Sequence, residues 1–360
     1  MRRYAIVIAL FSIAACLFSG MAGASMVRPI IYSKTSWEWT GPEGERHIVT
    51  RGGLFATGEG GPRQLTDDPR DREPSVSADG STIVFVRGGD LYAMAADGSG
   101  QRQLTSGSEF DELPQVSPDG SLVLFIRRAD MQAPGDLYTV PLGGGAPHAL
   151  APYPGEDREA SFSAEGKAIV FVRSLPVSGS AEINEELFSV HPDGSGLARL
   201  TRTSNDESRP RYFVKGIVFN RRKSASGGRT GIYAMRRNGT RVRAVLTWKS
   251  RFRGLIQTVS PNGRLLVFST TGTWVKRLVG PTRRSLRPRR LDSFTSDYLV
   301  FSPDGRRVAG GFTNTSSEVS PFSSLASINV FTGLIRYEGE SWEAEEPGPV
   351  QTSVGSVIAW

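Results

Sequence analysis

The chain has 360 residues, 43 Lys+Arg against 36 Asp+Glu for a formal charge of +7, and 41 glycines and 22 prolines. Moderate charge and well-represented aromatic residues exclude a disordered chain, and the frequent Gly and Pro point to a turn-rich β protein: two average domains or one large β architecture. One cysteine, Cys16, and three histidines, His47, His148 and His191, leave no Cys/His cluster or His-x-x-x-His pair for zinc.

The first element is a processing segment. Met1-Arg2-Arg3 is a positive start, Tyr4 to Phe18 is apolar, and Ala22-Gly23-Ala24 offers a small-x-small cleavage pattern. A signal peptide is therefore expected over 1–24, with an exported chain from Ser25. The alternative is a lipoprotein anchored at Cys16, since Ile13-Ala14-Ala15-Cys16 loosely resembles a lipobox. No second apolar stretch of about 18 residues follows, so no transmembrane segment is expected after removal of the leader.

From Leu65 onward one unit is rewritten. It begins Leu-Thr and passes an acidic residue to a strand, a Pro-Asp-Gly-type turn and an alternating apolar strand. A strand with a Leu-Tyr pair and a Gly-rich turn follow. The units start at Leu65, Leu104, Leu150, Leu200, Leu246 and Leu291, at spacings of 39, 46, 50, 46 and 45 residues. The hairpin reads PSVSADGSTIVFVR from Pro74, LPQVSPDGSLVLFIRR from Leu113, ASFSAEGKAIVFVR from Ala160, QTVSPNGRLLVFST from Gln257 and LVFSPDGRRVAGGF from Leu299; the unit at Leu200 has lost it and reads YFVKGIVF. Four short strands per 40–45 residues predict propeller blades. The ends read as two half-units: 30–64 matches the back of a unit and 340–360 the front. Together they predict one composite blade that closes the ring, giving seven blades, with six as the alternative.

This pattern, Leu-Thr … Asp/Glu-x-x-Pro … Ser-Pro-Asp-Gly-x-x-Val-x-Phe … Leu-Tyr … Leu-Thr, resembles the TolB-type, WD-like propeller repeat of exported bacterial proteins, from about Leu54 to the C-terminus. The resemblance implies an all-β propeller, here one domain over 25–360. Roughly 40 residues between the cleavage point and Leu65 are too few for the N-terminal α/β domain of TolB, so the Tol role is not carried over with the fold.

The hairpin aspartates Asp79, Asp119, Asp193 and Asp304 read as turn formers, not calcium ligands. The loops between blades, which share a face with the long, variable loops between second and third strands, carry charge at matched positions. They make a candidate channel-mouth set of Arg72, Glu73, Asp111, Glu112, Asp157, Glu159, Asp206, Arg209, Arg251 and Arg253. Between Leu200 and Arg290 there are 23 Lys+Arg and two acids, a basic sector represented by Arg221, Arg236, Arg237, Arg241, Arg283, Arg284, Arg287, Arg289 and Arg290. Arginine favours planar carboxylate or phosphate groups. No Gly-x-Ser-x-Gly elbow is present. The function expected is a monomeric, non-catalytic binding module for a protein or anionic envelope component, with no cofactor, metal or nucleic acid. The alternative is an enzyme acting on acidic carbohydrate in the channel.

Overall fold

The computed structural model describes residues 5–6, 13–15, 29–40, 47–58, 61–179, 182–222, 230–248, 254–270, 272–279, 288–291, 299–314, 322–331 and 335–337. These residues form strands and turns with no helix, arranged as seven antiparallel sheets. Each sheet follows chain order. In blade 2 the strands are Asp71–Val76, Thr82–Arg87, Asp90–Ala95 and Arg102–Gln103. Blades 3 to 7 begin at Phe110–Val116, Asp157–Phe162, Asp206–Phe213, Leu255–Val259 and Leu299–Phe301. First strands of blades 2 and 3, and of blades 4 to 7 in succession, lie against one another, so they are innermost and line the channel.

The alternating apolar strand places one face of each sheet on the preceding blade and the other on the following one. Ile83 and Phe85 join a cluster with Ile31 and Leu54 of blade 1, while Val84 and Val86 join one with Val123 and Phe125 of blade 3. Seven such clusters fill seven interfaces. The last unites Ile30 and Tyr32 of blade 1 with Val300 and Ala309 of blade 7 and closes the ring.

Seven blades are present, not six. In the first, Ile30–Thr40, His47–Ala56 and Arg63–Gln64 supply the outer strands. Along the free edge of Ile30–Thr40, Ile13–Ala15 pairs with Ile30–Tyr32 and Ala5–Ile6 pairs with Trp37 and Glu38. Ala5–Ile6 and Ile13–Ala15 belong to the segment read as a leader. The stretch 340–360 lies outside the described residues.

The Leu-Thr signature has a physical cause. Its leucine is buried between blades, and its threonine hydroxyl accepts the backbone N–H at the third-strand leucine. The bonds are Leu54 N to Thr66 Oγ1, Leu91 N to Thr105 Oγ1 and Leu187 N to Thr201 Oγ1, all 2.9 Å. Thr105→Val keeps the shape and orphans the buried Leu91 N–H. We expect a loss of about 1–3 kcal/mol in a denaturant titration; an unchanged midpoint would contradict the role given to the hydroxyl.

The hairpin aspartates form the turns. Asp79 accepts from Ser77 Oγ and Ser81 N, and Asp119 from Ser117 Oγ and Ser121 N. Asp304 does the same with Ser302 and Arg306, and Asp193 binds Ser195. Serine hydrogen bonds hold the carboxyls of Asp79, Asp119 and Asp193 below the usual range.

Candidate functional site: the channel and its two ends

At the loop-rich end, the innermost strands of blades 2 to 5 repeat one ionic arrangement. An acidic residue at the start of each strand pairs with an arginine at the end of the neighbouring strand: Asp71–Arg87 at 2.6 Å and Asp111–Arg127, Asp157–Arg173 and Glu207–Arg221 each at 2.7 Å. The four acids are buried. Each guanidinium lies over the aromatic pair of its own sheet, as Arg87 does over Phe85 and Tyr92, and Arg221 over Phe219 and Tyr233. Arg173 sits over three rings, those of Tyr153, Phe171 and Phe188. A flat cation between a carboxylate and an aromatic face fits arginine, not lysine.

Two residues further on, each of these strands bulges. Glu73, Leu113, Glu159 and Arg209 occupy equivalent positions and all have φ between 50° and 58°. Such a backbone in non-glycine residues is held by its surroundings. Glu73 accepts from Leu113 N and Glu159 from Arg209 N, both at 2.6 Å, so a glutamate of one blade holds the bulge of the next.

The described members of the channel-mouth set proposed from sequence have partners inside the chain. Arg72 binds Glu73, Glu112 binds Arg128 at 2.7 Å, Asp206 binds Arg222 at 2.7 Å, and Arg209 donates to Ile256 O. Arg251 and Arg253 lie outside the described residues. Of the basic sector, Arg221 is in the pair above, and Arg237 binds Glu165 at 2.8 Å and lies over Tyr212. That guanidinium holds Glu165 down at about 2. Arg236, Arg241 and Arg290 are exposed, and Arg289 ends blade 6. Arg283, Arg284 and Arg287 lie outside the described residues.

Burial sets the acidity of this network. Asp157 is pushed up to about 6 by desolvation, against the pull of Arg173. Glu207 is pushed up to about 7, first by burial and also by the neighbouring Glu186 carboxylate. One oxygen of each glutamate, Oε2, is buried without a hydrogen bond. A carboxyl whose folded pKa lies above its unfolded value binds more protons in the folded state. Its contribution is therefore present at low pH and lost as pH rises from about 4.5 through about 7. We expect the urea midpoint to fall between pH 5 and 8, and to fall less in Glu207→Gln. Equal pH slopes in the two proteins would disprove this.

The other end is built from the tight hairpins. A cavity of about 680 Å³ lies between the inner strands there, lined by Gln115, Ser161, Arg211, Gln257, Thr258 and the first-hairpin residues of blades 2 to 7. The same end of blades 5 and 6 carries Arg236, Arg241, Arg243, Arg264 and Arg277. All are exposed, and no carboxylate of the described residues lies within 4 Å of them. Sequence reasoning assigned binding to the loop-rich end because its charges recur at matched spacing. Recurrence there marks a structural pair, while Arg211, which breaks the pattern of Ser75 and Ser161, went unnoticed. His148 Nε2 lies 3.3 Å from Asp193 O and His191 Nδ1 lies 3.0 Å from Ser195 Oγ, and both histidines are exposed. Among the described residues no group of three or more His, Cys, Asp or Glu could hold a metal, and no helix is long and apolar enough to cross a membrane.

The chain is a seven-bladed β-propeller. No protein-family model matches it, and no curated protein is significantly similar. Solved structures do match in fold. TolB from Acinetobacter baumannii is 14% identical, with 86% of this chain and 78% of that chain covered and a TM-score of 0.51. An oligogalacturonate lyase from Vibrio parahaemolyticus is 8% identical, with coverage of 86% and 94% and a TM-score of 0.57. The propeller domain of the Trilobed protease from Pyrococcus furiosus is 8% identical, with coverage of 94% and 97% and a TM-score of 0.57. The TolB-like propeller expected from the repeat is thus present as a fold; identities this low carry nothing further.

Proposed function

We infer that this chain is an exported, non-catalytic binding propeller that engages an anionic component of the cell envelope through the tight-hairpin end of blades 5 and 6. The observation that carries the reading is the contrast between the two ends. At the loop-rich end Arg87, Arg127, Arg173 and Arg221, among the described residues, are paired with carboxylates of the chain. At the hairpin end Arg236, Arg241, Arg243, Arg264 and Arg277 are exposed and unpaired among the described residues. The positive potential there attracts anionic surfaces, and salt screens it over about 8–10 Å. The leader-like N-terminus supports export. The test is binding to phosphatidylglycerol vesicles across a salt series. Binding should weaken steadily with salt and drop at least tenfold at low salt in the triple variant Arg236→Glu, Arg241→Glu, Arg243→Glu. Salt-independent binding, or none at low salt, would refute the reading.

A second reading has an observation of its own. Met131, Val177 and Ile183 stand exposed on the long loops of adjacent blades 3 and 4, which suits a protein partner at the loop-rich end. Loss of such a partner in Met131→Asp with Ile183→Asp, with vesicle binding intact, would favour it.

A further inference from the structure

Charge placed inside a channel needs a counter-charge or bulk water. Arg211 has neither in full. It is half-buried, lines the cavity, and its Nη1 donates to the adjacent Pro210 O at 2.9 Å. No carboxylate of the described residues lies within 4 Å of it. Glu159, the acid that acts on it, has an oxygen engaged by Arg209 N. Burial, with a smaller opposing effect from Glu159, lowers the guanidinium to about 10.

The neighbouring wall has the same character. Gln257 and Thr258 are more than nine-tenths buried, at 7% and 9% exposure, and line the cavity. Their side chains make no hydrogen bond among the described residues, whereas Gln115 is anchored through its Nε2 on Ala160 O at 2.8 Å. Buried amides and hydroxyls ordinarily find partners within the protein or in ordered water. Here an amide, a hydroxyl and a cation line a space of about 680 Å³, the size of a small-molecule site.

We propose that this cavity binds a small hydroxylated carboxylate, its carboxylate on the Arg211 guanidinium and its hydroxyls on Gln257, Thr258 and Gln115. A planar carboxylate matches the guanidinium fork, and the polar wall suits hydroxyl groups better than an apolar tail. The site is separate from the exposed arginines, so the two assignments can fail independently.

Calorimetric titration of the full chain tests it with three probes: gluconate, sorbitol, which replaces the carboxylate by an alcohol, and inorganic phosphate. Gluconate should bind saturably and raise the melting temperature, as any ligand selective for the folded state does; sorbitol should do neither. Arg211→Gln should bind gluconate at least tenfold more weakly with its ligand-free melting temperature unchanged or higher. The surface triple variant should bind gluconate as the parent does, whether or not it still binds vesicles. If Arg211→Gln does not fold, Gln257→Leu with Thr258→Val makes the same comparison. Absence of gluconate binding, equal binding of sorbitol, tighter binding of phosphate than of gluconate, or full affinity in the cavity variants would each overturn the assignment.

Discussion

Replacing Asp157 by Ala should destabilise the protein by about 3–5 kcal/mol at pH 8, where the carboxyl is ionised. Its partner Arg173 is 4% exposed and held between three aromatic rings. Removing the carboxylate leaves that cation buried with, among the described residues, only the Ala151 carbonyl to accept from it. A broken buried pair costs far more than the intact pair contributes, because the desolvation of the remaining charge is no longer offset. The chain contains its own control. In blade 6 the equivalent register position pairs Leu255 with Ser269, and the blade forms without the ionic pair. Asp157→Leu with Arg173→Ser should therefore recover most of the loss. Urea denaturation of the three proteins decides it. A single variant as stable as the parent, or a double variant worse than the single one, would show that the pair does not work this way.

Gly216→Ala should be comparably severe, at about 3 kcal/mol or more. Gly216 begins the second strand of blade 5 at φ +154°, and an added Cβ would stand 1.9 Å from Met235 O. The obstacle is a backbone carbonyl of the paired strand, so a rotamer change cannot relieve it, and strain adds to overpacking. By contrast, Gly120→Ala in the hairpin of blade 3 meets no atom within 4 Å and carries only the positive φ of 72°. Thermal melts should rank the first well below the second; the reverse order would refute the steric account.

Gly216 also shows what the sequence could and could not convey. The motif YFVKGIVF lacks the Pro-Asp-Gly turn, and the unit looked degraded there. The hairpin is nonetheless made, with Phe213 opposite Gly216 across Val214 and Lys215. The repeat was legible because each blade is a local object whose strand alternation and turn chemistry are written in consecutive residues. Blade count and strand order followed from it. The share of 340–360 in blade 1 rests on sequence alone, since that stretch lies outside the described residues. The site was legible only as charge. Asp71, Asp111 and Asp157 recur visibly, but their arginine partners lie sixteen residues on, at Arg87, Arg127 and Arg173, and cross-strand pairing had to be seen before those charges could be read as internal. Arg211 was one arginine among many until the fold placed it in the channel.

The seven interfaces differ in one respect that has no counterpart in any single blade. Six of them join segments that are neighbours along the chain, so they can form as soon as two successive blades exist. The seventh joins Ile30 and Tyr32 to Val300 and Ala309 and must draw together points separated by most of the polypeptide. Closing a loop of that length carries an entropic cost on the order of 5 kcal/mol, from (3/2)RT ln n. Burying three large apolar side chains and an alanine contributes about the same, at roughly 1.5–3 kcal/mol for each large one. The clasp of the ring is therefore nearly balanced on the described residues alone. The molecule is a nearest-neighbour filament bent into a circle, and its opening and closing are governed at that one joint.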